Sequence, residues 1–377
     1  MRALMIGCWL SCAWGCGSRT GLAVDDPEDA GPCVMVPEEP QLDLLFVIDD
    51  SASMEAEQEV LARGFEGFAR ALATGDLDGD GVPEFPPVTD LHVGVVSTDM
   101  GWLRLEGRRS VPAPCPGDTR TFGDDGVLRE VDGSAACGGA SGRVLSLGEG
   151  DSVGAFSDAF ACIARTGTDG CGFEMPLEAT LKALTTRASP LRFAGRTRGH
   201  ADDDNVGFLR EDSLIAVVVV TDEDDGSLAD ASFDAEATAE ARALGEAWLH
   251  PIERYVEGLR ALRPGHPERV AFAAVAGIPP DLGGPIDSAE DAARVLDDPR
   301  MARVFDPSER TSLVPACTSA HSRAAPARRL VELAGAMGGG AVVWPICEDD
   351  FRGAAGAIAT QLGGWIADVT CAAPDGG

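Results

Sequence analysis

The sequence predicts an α/β fold: a doubly wound, mostly parallel sheet with helices on both faces and large disulfide-stapled loop insertions. Short apolar runs suited to strands buried on both faces recur along the chain, the clearest being Leu-Ile-Ala-Val-Val-Val-Val at 214–220. Segments with apolar residues at helical spacing separate these runs, and that alternation produces a parallel sheet. Eight cysteines follow residue 16, scattered without Cys-x-x-Cys spacing, which in an exported chain reads as four disulfides.

Residues 1–16 combine one arginine, an apolar segment and small residues around cysteines, and read as a short export signal. Cys16, preceded by Ala13-Trp14-Gly15 and followed by Gly17-Ser18, resembles the acylated cysteine of bacterial lipoproteins, with Cys12 the alternative. That pattern prefers leucine three residues before the cysteine, where this chain has Ala13. Residues 17–40, rich in Asp, Glu, Pro and Gly, read as a flexible tether. A single domain is expected over 41–371, with insertions at about 101–150 and 279–323 and a disordered tail at 372–377.

The first strand is expected at 43–48. Over 55–73, Val60, Leu61, Phe65, Phe68 and Leu72 recur at helical spacing, with Glu55 and Glu57 in the first turn where the helix dipole favours anions. A second strand follows at 91–97, then a long Gly, Pro, Asp and Arg excursion holding Cys115 and Cys137. An edge strand at 144–147 precedes helices at 153–164 and 176–184, the second opened by Pro176. After the 214–220 strand come a helix at 235–262 broken at Pro251, a strand at 270–276, and an irregular insertion around a short helix at 289–296. A helix at 330–337 stops at Gly338 to Gly340, a strand fills 341–346, and Phe351, Ala355, Ile358, Leu362, Trp365 and Val369 stripe a closing helix.

At 377 residues and 45% apolar, the chain can bury a sizeable core. Its formal net charge of −32, with Lys182 the one lysine, argues against nucleic acid or an anionic membrane surface as partner. After Cys16 no apolar run approaches the roughly 18 residues that span a bilayer, so membrane contact is expected through the lipid anchor alone. The expected location is the bacterial cell envelope, as an outer-membrane lipoprotein or a secreted or periplasmic protein. Sequence proximity suggests pairing Cys115 with Cys137, Cys162 with Cys171, Cys317 with Cys347 and Cys33 with Cys371, one of about 105 possible connectivities.

The chemistry concentrates where strands end. The run at 44–48 stops in Asp49-Asp50-Ser51-Ala52-Ser53, and in open α/β sheets ligands bind at the carboxyl ends of strands. Asp49-x-Ser51-x-Ser53 resembles the metal-ion-dependent adhesion site (MIDAS) of von Willebrand factor A (VWA) domains. The resemblance extends to Asp222, after Thr221, where that family places another metal-site aspartate at the end of the strand neighbouring the first. It implies a VWA fold and a Mg²⁺ or Mn²⁺ ion held by two serines and a loop threonine. The aspartates act largely through water, and one position stays open for an acidic group of the partner. The family's Thr-Pro-Leu-type turn appears here as Glu174-Met175-Pro176-Leu177, so Glu174 stands in for the hydroxyl, with Thr166 and Thr168 as alternatives. The competing structural reading has Ser51 and Ser53 only capping the following helix.

A second cation motif lies at Asp76, Asp78, Asp80 and Glu84, where acids at alternate positions around glycines converge oxygens as Ca²⁺ requires. It resembles the calcium cages of integrin β-propeller repeats more than an EF-hand, whose twelfth position is Pro87 here. Its competing reading is a solvated acidic turn. No nucleophile and base pair emerges, Asp49-Asp50 lacks the Asp-x-Asp of aspartyl-phosphate enzymes, and there is no phosphate loop or Gly-x-Ser-x-Gly. The expectation is a non-enzymatic, lipid-anchored VWA-like module that recognises a protein or glycan ligand through a divalent cation. The alternative is a structural component of an envelope assembly with a vestigial metal site.

Overall fold

The computed structural model describes residues 40–101, 122–229, 249–320 and 322–371. In β1 (Gln41–Ile48), Leu42, Leu44, Phe46 and Ile48 enter one core and Leu45 and Val47 the other, as the two-residue period of a strand dictates. The same two-sided burial holds for β2 (Asp90–Ser97), β4 (Leu214–Val220), β5 (Val270–Ala276) and β7 (Ala341–Pro345). With the edge strands β3 (Leu145–Gly148) and β6 (Gly284–Ile286) they form one seven-stranded sheet in the order β3-β2-β1-β4-β5-β7-β6. The five central strands run parallel, and each edge strand is antiparallel to its neighbour.

Helices α1 (Glu55–Thr74), α2 (Val153–Ala164) and α7 (Arg352–Cys371) cover one face. Helices α3 (Pro176–Leu184), α4 (Ile252–Arg260), α5 (Ala289–Leu296) and α6 (Arg328–Met337) cover the other. Under α1 and α2 the core is aromatic: Phe65 stacks on Phe160 at 3.5 Å between centroids, and Phe46 meets Phe160 edge-on at 4.9 Å. Helix α1 ends at Gly75, whose left-handed φ of 72° lets its N–H reach the Ala71 carbonyl. A Cβ there would lie 2.2 Å from the Phe85 carbonyl oxygen, so glycine is required twice over.

The amino end of β1 is closed by a buried ionic network. Asp43 accepts from the Arg210 backbone N–H and Nε, each at 2.7 Å, and from the Ser213 hydroxyl; Arg263 Nε donates to the Ser213 carbonyl at 2.8 Å. The candidate site lies at the opposite, carboxyl end of the strands, where Arg303 is paired with Asp224 and Arg329 with Asp225.

The disulfide pairing expected from proximity is corrected in part. Cys137 pairs with Cys162, not Cys115, and Cys162 therefore does not pair with Cys171. The turn Ala135–Cys137 packs on α2, which brings the two Cα atoms to 5.7 Å, while the chain beyond α2 leads Cys171 away toward the strand ends. Cys171 is itself disulfide-bonded, to a partner outside the described residues. Cys317 pairs with Cys347 as expected. The insertion over 279–323 is less irregular than expected, since it supplies edge strand β6 as well as α5. The helix expected at 235–262 is realised after Pro251 as α4, and 230–248 lie outside the described residues. The expected leader with Cys16, nearly all of the tether with Cys33, Cys115, the side chain of Cys371 and the tail also lie outside them.

Candidate metal centre

Strands β1 and β4 pair in parallel with Ile48 opposite Val220, so Asp49 leaves the sheet beside Thr221, with Asp222 one residue further on. The backbone holds that register one step further, the Asp49 N–H donating to the Val220 carbonyl at 3.0 Å. The Asp49 carboxylate is buried; Oδ1 accepts from the Ser51 N–H at 2.7 Å and Oδ2 from the Thr221 hydroxyl at 2.6 Å.

Ser51 and Ser53 do not cap α1. Met54 occupies the N-cap position without a side-chain bond, and the two serine hydroxyls lie 3.0 Å apart. Gln58, in the first turn of α1, donates to the carbonyls of Asp49 and Gly167 at 2.8 Å each, which ties the loop after α2 to this corner.

That loop brings Glu174 to the site. Its side chain is 1% exposed, one oxygen accepts from the Thr98 hydroxyl at the end of β2, and the Gly226 N–H donates to its carbonyl at 2.7 Å. Of the alternatives, Thr166 directs its hydroxyl to the Asp49 carbonyl at 3.5 Å, and Thr168 is only half-buried. Glu174 lies close enough to Asp49 to feel its charge.

The electrostatics are those of an anionic cluster held out of water. Burial, then the charge of Asp49, pushes Asp222 up to about 7. Burial, then Asp99, Asp124 and Asp49, pushes Asp50 up to about 8. Glu174 is raised well above the usual range by burial and by Asp49, and Asp49 is itself raised by burial. Three buried oxygens, Asp50 Oδ1, Glu174 Oε1 and Asp222 Oδ1, have no hydrogen-bond partner. Two hydroxyls and several carboxylates form a hard oxygen donor set, which fits Mg²⁺ or Mn²⁺ better than softer ions.

Sequence reasoning missed Thr98 and Gln58 and gave Asp50 no electrostatic role. The end of β2 reads Ser97-Thr98-Asp99, the same mixture of hydroxyls and a carboxylate that marked the end of β1. That composition at a third strand end was the available signal.

Among the described residues, two groups of side chains bring three or more ligating atoms within 4.8 Å of one another, and neither is at the strand ends. One is the predicted loop of Asp76, Asp78, Asp80 and Glu84. There Asp76 accepts from the N–H groups of Gly79 and Gly81 at 2.6 and 2.8 Å, and Glu84 from that of Leu77 at 2.7 Å, which folds the loop around its own acids. The other is His200, Asp203 and Asp204, where His200 contacts Asp125 at 3.1 Å and Asp203 pairs with Arg187 at 2.7 Å.

No family model matches the chain, and no curated protein matches it. Among solved structures, proximal thread matrix protein 1 from the mussel byssus is similar at 14% identity with a TM-score of 0.25. The match covers 63% of this chain and 38% of that protein's length.

Proposed function

We propose that this chain is a non-catalytic, VWA-like binding module of the bacterial cell envelope, held there by acylation at Cys16. It captures an acidic protein or glycan ligand through a divalent cation at Asp49, Ser51, Ser53, Glu174 and Asp222. The single observation that carries the reading is the pair of buried, unpartnered oxygens on Glu174 and Asp222, set beside two serine hydroxyls free of capping duty. A buried carboxylate without a partner is costly, and a cation at this corner removes the cost. The parallel register of β1 with β4 and the antiparallel β3 edge also support a VWA-type sheet.

Mg²⁺ or Mn²⁺ would take the hydroxyls of Ser51 and Ser53, with Asp49 and Asp222 acting through water. Glu174 adds a negative charge where the family has a neutral hydroxyl, and that departure favours the second reading, a structural envelope component whose site is vestigial. Ca²⁺ would occupy the loop of Asp76, Asp78, Asp80 and Glu84 in a structural role. Calorimetric titration of Mn²⁺ into wild type and Ser53→Ala tests the metal site, with at least a tenfold weakening expected in the variant. Equal affinities would sink it. Pull-down from envelope extract with and without chelator, repeated with Asp49→Ala, separates the readings. A partner lost in both cases supports ligand capture, and one retained in both supports the structural role.

A further inference from the structure

Lys182 is the one lysine of the chain; every other of its 30 lysine and arginine side chains is arginine. It is also fully buried, where lysine is almost never found without a partner. Its Nζ contacts Asp125 Oδ1 and donates to the Thr197 hydroxyl at 2.7 Å, with the ring centroids of Phe122 and Phe193 at 5.8 and 5.6 Å. On the far side of the carboxyl, His200 Nε2 lies 3.1 Å from Asp125 Oδ2. The backbone fixes Asp125 in this place: its φ is 59°, and its N–H donates to the Asp99 carbonyl at 3.1 Å. A Cβ on the next residue, Gly126, would lie 2.8 Å from the Ala179 carbonyl oxygen, so the segment is pressed directly onto α3, the helix that carries the amine.

An arginine would make the same ion pair and could not lose its proton. Lysine differs in that its amine, once it has given up a proton, is a nucleophile. Amine and carboxyl held in contact have an effective concentration far above that of free groups. Condensing them replaces two charges withdrawn from water by one neutral amide, and the aromatic surround keeps out the water that would reverse the step.

We propose that Lys182 and Asp125 join in an intramolecular isopeptide bond that staples α3 to the segment at 122–128. Nζ passes one proton to Oδ1 and attacks Cγ, so that the Nζ–Cγ bond forms. The Cγ–Oδ2 bond then breaks, and Oδ2 leaves as water with the two protons that the ammonium has shed, carried to it by His200. No oxidant, metal or further reagent enters. The bond uses none of the residues assigned to the divalent cation and stands independently of that assignment.

The test is digestion of the full chain, expressed without added lysines, after reduction and denaturation. Lys182 is the only site for a lysine-specific endoproteinase, so the bond leaves the chain whole and its absence splits it in two. Trypsin, cutting after Arg120, Arg129, Arg165 and Arg187, should release residues 121–129 joined to 166–187. That product should be lighter than the two peptides together by one water, with fragment ions placing the link at Asp125. Asp125→Ala should restore cleavage at Lys182. Complete cleavage of the wild type, an uncut Lys182 carried on an unlinked peptide, or an Asp125→Ala chain still uncut overturns the proposal. In cell-free synthesis sampled over time, His200→Gln, once shown by circular dichroism to be folded, should slow formation of the bond roughly a hundredfold, and an unchanged rate overturns the proton route.

Discussion

Asp222 keeps its proton up to about pH 7, and Asp50 up to about 8, while in the unfolded chain both would lose it near 3.8. Between those values the folded state binds more protons than the unfolded one, so stability falls as pH rises from about 4 to about 8 and changes little beyond. In chelator, the unfolding midpoint should therefore drop across that window. Saturating Mg²⁺, which needs the ionised carboxylates, should shrink the drop. A midpoint flat with pH in chelator would show that these acids are not strained by burial. Glu174→Thr is the complementary change, since it puts a neutral hydroxyl in place of a carboxyl that a bound cation would ionise. It should tighten cation-dependent ligand binding several-fold in a solid-phase assay, and weaker binding would mean that Glu174 is itself a required ligand. The anionic half of this site was legible in the sequence because Asp49, Ser51, Ser53 and Asp222 sit directly at strand ends. Thr98 was not, because its partner Glu174 lies 76 residues further on and only folding brings them together.

At the scale of elements, the parallel strands and most helices were readable because each buries a continuous run or a clear stripe. The edges read less well: β6 has only three residues, and one of them is Pro285, which strand propensity disfavours. Disulfides read worst, since pairing depends on which helix a loop packs against. The Cys137 to Cys162 bridge closes a separation of 25 residues, for which chain entropy gives about 3.5 kcal/mol. Cys137→Ser with Cys162→Ser should lower denaturant stability by about that amount. At the amino end of β1, Asp43→Ala would leave the backbone N–H and Nε of Arg210 and the buried Ser213 hydroxyl without their acceptor. It should cost about 3 kcal/mol, measured by urea unfolding. A loss under about 1 kcal/mol would mean that water replaces the carboxylate there.

The whole molecule is polarised along its strands. The amino end carries a carboxylate satisfied by Arg210 and Ser213, and the carboxyl end a carboxylate cluster with unpartnered oxygens. With a net charge of −32, each bound cation also relieves self-repulsion, so divalent ions should stabilise beyond the effect of equal ionic strength. The strand-end site precedes α1 and the loop of Asp76 to Glu84 follows it, and a helix of 20 residues separates its ends by about 30 Å. At that distance two sites with no shared ligands act additively. Differential scanning calorimetry should give a midpoint shift with Mg²⁺ and Ca²⁺ together that equals the sum of the separate shifts, each measured below the concentration at which one ion invades the other's site. Ser53→Ala should erase the Mg²⁺ increment and leave that of Ca²⁺, and Asp76→Asn should do the reverse. If either substitution removes both increments, the two motifs form a single coupled unit, and the assignment of one to ligand capture and the other to structure fails.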